Sequence, residues 1–193
     1  DGSGAIVDLG CFLGEATRLF AEGLRANPRI TTPITGIGKR IWAYDRFLFE
    51  PYKGYDACVS EAEVSTRSFF PLFSERIAEV ADAVTVVPGD LLQLDWTGQP
   101  IDILFVDIAK SWRLNDRVIK LFFPALRPGR SVIVQQDYFY CNAPWTIITM
   151  ELFADWFVYE GAAFGSSAIF TLRRPLPRAL LEVDLDRHLS LPT

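Results

Sequence analysis

Apolar and polar positions along the chain follow two alternating rhythms. The run GAIVDLG is short, apolar and β-prone, and it leads into EATRLFAEGLR, where Ala16, Leu19, Phe20, Gly23 and Leu24 recur at the spacing of a helix face. A turn-rich stretch, NPRITTPITGIGKR, separates this first β-α unit from IWAYD, a second strand ending on Asp45. From about Glu61 the pattern is helical, with Pro71 restarting it and Leu72, Phe73, Arg76, Ile77 and Val80 on one face. VTVVPGD gives a third strand, and IDILFVD is an uninterrupted apolar run, as a parallel strand buried on both faces requires. Helical LNDRVIKLFFPAL follows, closed by the stop signals of RPGR, and SVIVQQD makes a fifth strand. PWTIITMELFADWF has helical period and much apolar surface, which suits a packing helix or a dimer face. DWFVYEGAAFGSSAIFTLRRP then holds two strand-like runs joined by a Gly and Ser turn, an antiparallel pair. The tail PRALLEVDLDRHLS reads as a surface helix or as disorder.

This order predicts an α/β fold with a mostly parallel sheet. At 193 residues, 50% hydrophobic and 22% charged, the chain can bury one sizeable core without staples, and residues 1–193 are expected to form a single domain with a tail over about 176–193. A net charge of -5 gives no electrostatic reason to bind nucleic acid, which needs clustered Lys and Arg. Cys11, Cys58 and Cys141 are odd in number, widely spaced and set among apolar residues, which suits reduced thiols in a cytoplasmic protein. No apolar run reaches the roughly 18 to 20 residues of a membrane span, and no signal-peptide pattern opens the sequence. Residue 1 is Asp and the only methionine is Met150, as expected of a processed chain or an excised piece.

Four predicted strands lead to an acid: Asp45, Asp90, Asp107 and Asp137. Ligands of open α/β sheets sit beyond the carboxyl ends of the strands, so these acids share one rim, suited to a ligand with hydroxyls, amines or a metal. A dinucleotide site spaces its glycines G-x-G-x-x-G so that pyrophosphate can approach a helix N-terminus. In VDLGCFLGEAT, Phe12 stands at the second glycine position, leaving Gly10 and Gly14, and Asp8 repels anions. A cofactor without phosphates fits this turn better.

At these residues the chain resembles the class I S-adenosylmethionine-dependent methyltransferases. VDLGCFLGEAT is similar to the first motif of the catechol, caffeoyl-CoA and macrocin-type O-methyltransferases, ILFVDIAKSW to their D-x-x-K segment, and LRPGRSVIVQQDY to their post-motif strand. The resemblance covers about residues 4–175 in order. It implies a three-layer Rossmann-like sandwich around a seven-stranded, mostly parallel sheet with an antiparallel C-terminal strand pair. It also implies S-adenosylmethionine as cofactor: Asp8, Gly10 and Gly14, with Phe12, around its methionine part, Asp45 and Arg46 at its ribose, Asp90 and Leu91 beside its adenine, and Asp107 at the same rim.

In the catechol-like enzymes a divalent cation such as Mg²⁺ is held by the acid of D-x-x-K and by a D-N pair after the fifth strand. Here Asp107 and Asp137 match, while Gln136 replaces the first acid of the pair, so Asp107, Gln136 and Asp137 are the candidate ligands. Ala109 stands where macrocin-type relatives carry a further acid. The sole histidine, His188, lies in the tail, which removes His-based triads from consideration. Candidate bases for taking a proton from the acceptor are Lys110, if a dry pocket lowers its pKa, and Asp107 or Asp137. Against these readings, Asp45, Asp90 and Asp137 could be turn or capping residues, and Lys110 a solvated lysine at a helix start. The aromatic stretches YDRFLFEPYKGY and DYFYCNAPW, with Tyr138 and Trp145, suit either a pocket wall or plain core.

The expected function is methyl transfer to an oxygen, or secondarily a nitrogen, of a small-molecule acceptor such as a sugar or natural product. A cofactor-binding domain without catalysis is a second reading, favoured by Ala109 and Gln136. A nicotinamide-dependent oxidoreductase is a third, for which Asp45 would suit an adenosine ribose but Phe12 would not suit the diphosphate.

Overall fold

The computed structural model describes residues 3–30, 39–50, 59–163 and 165–189. The expected stretches within 31–38 and 51–58, including Cys58, lie outside them.

Seven strands form one sheet: β1 (Ala5–Leu9), β2 (Ile41–Asp45), β3 (Val84–Pro88), β4 (Ile101–Val106), β5 (Val132–Gln135), β6 (Phe157–Ala162) and β7 (Ala168–Leu172). Their order is β3-β2-β1-β4-β5-β7-β6, with β1 to β5 parallel and β7 antiparallel to both of its neighbours. This is the expected Rossmann-like sandwich.

The central strand β1 is buried along its whole length. Its side chains alternate between two apolar clusters: Ala5, Val7 and Leu9 join one, Ile6 the other. The first cluster is filled by Val118, Ile119 and Phe122 of α4 (Trp112–Phe122) and Met150 of α5 (Pro144–Leu152). The second is filled by Ala21 and Leu24 of α1 (Glu15–Ala26) and Phe73 of α3 (Phe70–Arg76). Helices therefore cover both faces.

Three local readings are sharpened by the structure, the second of them the restart expected at Pro71. The inward face of α1 is Thr17, Ala21 and Leu24, while Leu19 is 52% exposed and Gly23 is also at the surface. The face is turned by about one residue because a polar side chain, Thr17, has a buried partner. The helix from Glu61 is two pieces, α2 (Glu61–Ser65), which carries a Ser60 and Glu63 capping box, and α3. Between them Arg67 takes a left-handed φ of 61° and Ser68 bridges to Leu48. The tail folds as α6 (Arg178–Leu181) and α7 (Leu185–Leu189), with Leu185 buried in the core and the Asp186 N–H donating to the Asp116 carboxylate of α4.

Gly14 starts α1 at φ 86°, and a Cβ there would stand 2.8 Å from Ile77 Cγ2 and 3.0 Å from the Phe73 ring, both buried. Gly14→Ala should lower the urea unfolding free energy by about 2–4 kcal/mol, strain and overpacking acting together. Gly23→Ala, where a Cβ meets nothing within 4 Å, should raise it by about 0.5–1 kcal/mol.

Candidate active site

The sheet order reverses between β1 and β4, which is where open α/β sheets form their ligand crevice. The strand ends there are level. Leu9 pairs with both Tyr44 and Val106, and Val106 with Gln135. Backbone N–H groups continue the ladder beyond the strands: Gly10 donates to Tyr44 at 2.8 Å, Asp107 to Leu9 at 2.8 Å and Gln136 to Val106 at 2.9 Å. Asp45, Asp107 and Asp137 are thereby brought to one rim.

The turn after β1 opens on a position with no room for a side chain. Gly10 has φ 86°, and a Cβ on it would lie 3.0 Å from the Asp107 carbonyl carbon. Phe12 takes φ 44°, a strained value for a non-glycine residue, with its ring edge-on to Phe69 at 5.2 Å. Asp45 holds this turn: one carboxylate oxygen accepts from Phe12 N–H and the other from Phe47 N–H, each at 2.9 Å. Burial pushes the Asp45 carboxyl above its ordinary value, against these backbone hydrogen bonds. The Arg46 backbone also hydrogen-bonds this carboxylate, and the acceptor capacity left over can take a ligand hydroxyl. Arg46 beside it is exposed.

Asp8 shares the face of Ile6 and is fully buried; it accepts from Thr17 Oγ1 at 2.5 Å through Oδ2, while Oδ1 is buried without a partner. It therefore acts from beneath the turn. Burial raises its carboxyl from 3.8 to about 7, with Thr17 opposing and the charges of Asp107 and Asp45 adding to the rise.

Asp90 fulfils its capping reading, accepting from Leu92 N–H at 3.0 Å. Leu91 is 1% exposed, a core side chain whose carbonyl accepts from Arg117 Nε. Neither side chain is grouped with the turn after β1 by a direct bond.

On the other side of the switch point, Lys110 Nζ donates to Asp107 Oδ1 at 2.5 Å and to Asp137 Oδ2 at 2.6 Å. Burial pushes the Lys110 ammonium down, but the two carboxylates outweigh it and hold it above its ordinary value. The dry pocket that would make Lys110 a resting base is thus countered by its partners. Asp137 sits at φ 59° and accepts from Ser166 Oγ at 3.2 Å, while Gln136 Oε1 accepts from Ser167 Oγ at 2.5 Å. Trp145 donates its indole N–H to the carbonyl of Ala109 and packs edge-on against Trp112, and Tyr138 packs on Phe139 and Phe170. These aromatics flank the Lys110 cluster.

Sequence reasoning missed Thr17, Ser166 and Ser167. Thr17 had one signal, a polar residue on the buried side of a helix below an acid; the serines read only as turn residues. A cavity of about 460 Å³ lies elsewhere, against Lys120, Pro124 and Leu181, and no site residue lines it. No helix among the described residues is long and apolar enough to cross a membrane.

No family model and no curated protein matches the chain. Among solved structures it is similar to the O-methyltransferase NovP, at 16% identity over 88% of this chain and 72% of that one, with a TM-score of 0.63. It is similar to CalS11, a TDP-rhamnose 3'-O-methyltransferase of calicheamicin biosynthesis, at 16% identity over 87% and 71%, with a TM-score of 0.59. It is also similar to an S-adenosylmethionine-dependent O-methyltransferase from Thermotoga maritima, at 15% identity over 91% and 60%, with a TM-score of 0.52. At these identities the likeness is one of fold, and the chain has the fold of the class I methyltransferases.

Between the ordinary carboxyl value of 3.8 and about 7, the folded chain retains a proton on Asp8 that the unfolded chain has released. Stability from this residue is therefore greatest below about pH 4 and falls as pH rises to about 7. Asp8→Asn removes that dependence. Urea unfolding at both ends of the window should show the variant gaining on the wild type as pH rises; a constant difference would refute the assignment.

Proposed function

We propose that the chain binds S-adenosylmethionine at the β1–β2 side of the rim and methylates an oxygen, or secondarily a nitrogen, of a small molecule such as a sugar or natural product. The observation that carries this reading is the pairing of a tight turn that runs between two left-handed glycines and is pinned by Asp45 with a polar cluster directly across the switch point at Asp107. When bound, S-adenosylmethionine supplies a methyl group on a positively charged sulfur. An acidic rim suits that charge, whereas a dinucleotide would set its phosphates against Asp8, Asp45 and Asp107. The orphaned Oδ1 of Asp8 is a buried acceptor beneath the turn, and the missing side chain of Gly10 lets that turn close against the Asp107 backbone.

Within this reading Asp45 accepts the ribose hydroxyls while keeping its two backbone bonds, with Arg46 alongside. The backbone from Gly10 to Gly14, Phe12 included, faces the methionine part, and Asp90 and Leu91 shape the adenine end. The acceptor lies at the Asp107, Lys110 and Asp137 cluster, walled by Tyr138 and Trp145. Asp107 or Asp137 takes the acceptor proton, because Lys110 already carries one and is held charged. The O-methyltransferases NovP and CalS11, one of them acting on a sugar nucleotide, support oxygen as the target. A non-catalytic cofactor-binding domain is the second reading, favoured by both acceptor-side carboxylates being engaged by Lys110.

Calorimetric titration should show micromolar binding of S-adenosylmethionine and S-adenosylhomocysteine and none of NAD. Asp45→Ala should weaken that binding by about 10- to 100-fold while leaving the far-ultraviolet dichroism unchanged. Binding of NAD in place of the sulfonium cofactor would overturn the reading, and cofactor binding without turnover across an acceptor screen would favour the second.

A further inference from the structure

The divalent cation implied by the sequence does not fit the residues as they stand. Its three candidate ligands are already engaged: Asp107 and Asp137 by one ammonium, Gln136 by Ser167. Among the described residues no group of three His, Cys, Asp or Glu side chains is placed to hold a metal.

We propose that the Lys110 ammonium occupies the position a divalent cation would take, so that the cation of this acceptor site is built into the chain and the site works without metal. The geometry is specific. Asp107 stands at the end of β4 and Asp137 beyond the end of β5, and the two carboxylates converge on a single Nζ at 2.5 and 2.6 Å. A Mg²⁺ held by both carboxylates would have to take the same pair of oxygens that Nζ now joins, because such an ion is bound through carboxylate oxygens. Two positive centres cannot share that point, and the ammonium is covalently tethered there, so it has no association cost. Lys110 is three residues from Asp107 and at the start of the loop into α4, whose first turn is capped by Ser111 accepting from Leu114 N–H at 3.2 Å. That cap and the indole of Trp145 on the Ala109 carbonyl fix the backbone on both sides of the lysine.

The charge balance follows the same logic. Two carboxylates and an amide would sum to -2 before a divalent cation arrives. With Gln136 in place of an acid, one ammonium leaves the cluster at -1, so one carboxylate remains competent to accept a proton. An ammonium has three N–H donors; two go to the carboxylates, and the third can stabilise negative charge on an acceptor oxygen, the work that a cation does elsewhere. Only this last point rests on the methyl-transfer reading.

The test needs neither cofactor nor acceptor. Mn²⁺ is titrated into the full chain, and bound metal is measured by loss of the free-ion electron paramagnetic resonance signal. The wild type should bind no Mn²⁺ up to millimolar concentration. Lys110→Ala, and Lys110→Met as a version that keeps the packed stem, should remove the ammonium from the two carboxylates and bind Mn²⁺ at concentrations at least about 10-fold below the highest at which the wild type binds none. Lys110→Ala combined with Asp137→Asn should lose the gained site. Mn²⁺ binding by the wild type that Asp107→Asn abolishes would overturn the proposal. So would Lys110→Ala and Lys110→Met variants that melt cooperatively yet gain no metal. Should cofactor binding fail in calorimetry while the metal gain is seen, the methyl-transfer reading falls and the cation substitution stands.

Discussion

Two parallel strand ends meet at the centre of the sheet with no space between them. The Cα of Gly10 lies so close to the backbone of Asp107 and Ile108 that even a methyl group would press on it. Everything at the rim is referenced to that contact. It sets the height of the turn after β1 against the loop after β4, and so the relation between Asp45, bonded to that turn, and Lys110, bonded within that loop. A side chain at residue 10 would push the two loops apart and separate the halves of the site, whatever else remained folded.

Four carboxylates at or below this rim are handled by three different physical devices. Asp8 is buried and made easier to keep protonated, with a threonine hydroxyl as its one direct partner among the described residues. Asp45 is satisfied by backbone N–H groups and doubles as the clasp of a strained turn. Asp107 and Asp137 share an ammonium. The Lys110 side chain is 46% exposed, so the energy of these pairs is moderated by water, and their value lies in orientation more than in stability.

Much of the fold was legible because strands and helices have different periods. The β-α alternation, the continuous apolar run of β4 and the final antiparallel pair could all be read from spacing and turn residues. The face of α1 could not, since a count of apolar positions gives no weight to Thr17, which turns inward only because Asp8 lies opposite it. Pro71 marked the restart at α3, but the left-handed Arg67 before it, next to the Ser68 bridge to Leu48, had no glycine to signal it. At the site, the acids after the strands identified the rim, but what holds them did not follow. Whether Lys110 would be a base or a counterion depends on where two loops place Asp107 and Asp137, and Ser166 and Ser167 reach Asp137 and Gln136 across a hairpin that the local sequence marks only as a turn.

The side-chain links around the rim, unlike the β1–β4 backbone contact, have a common length along the chain. Phe12 and Asp45 are 33 residues apart, Lys110 and Asp137 27, Asp137 and Ser166 29, and Gln136 and Ser167 31. Each spans about one strand-helix-strand step, and because the entropy of closing a loop grows only with the logarithm of its length, the four closures carry nearly equal cost. The site can therefore be laid down in instalments as strands are added outward from β1, each new strand docking one more pair. The one long closure is the backbone contact of Leu9 and Gly10 with Asp107; around it, the cofactor half depends on β2, the charged cluster on β5, and the serine contacts on the last hairpin.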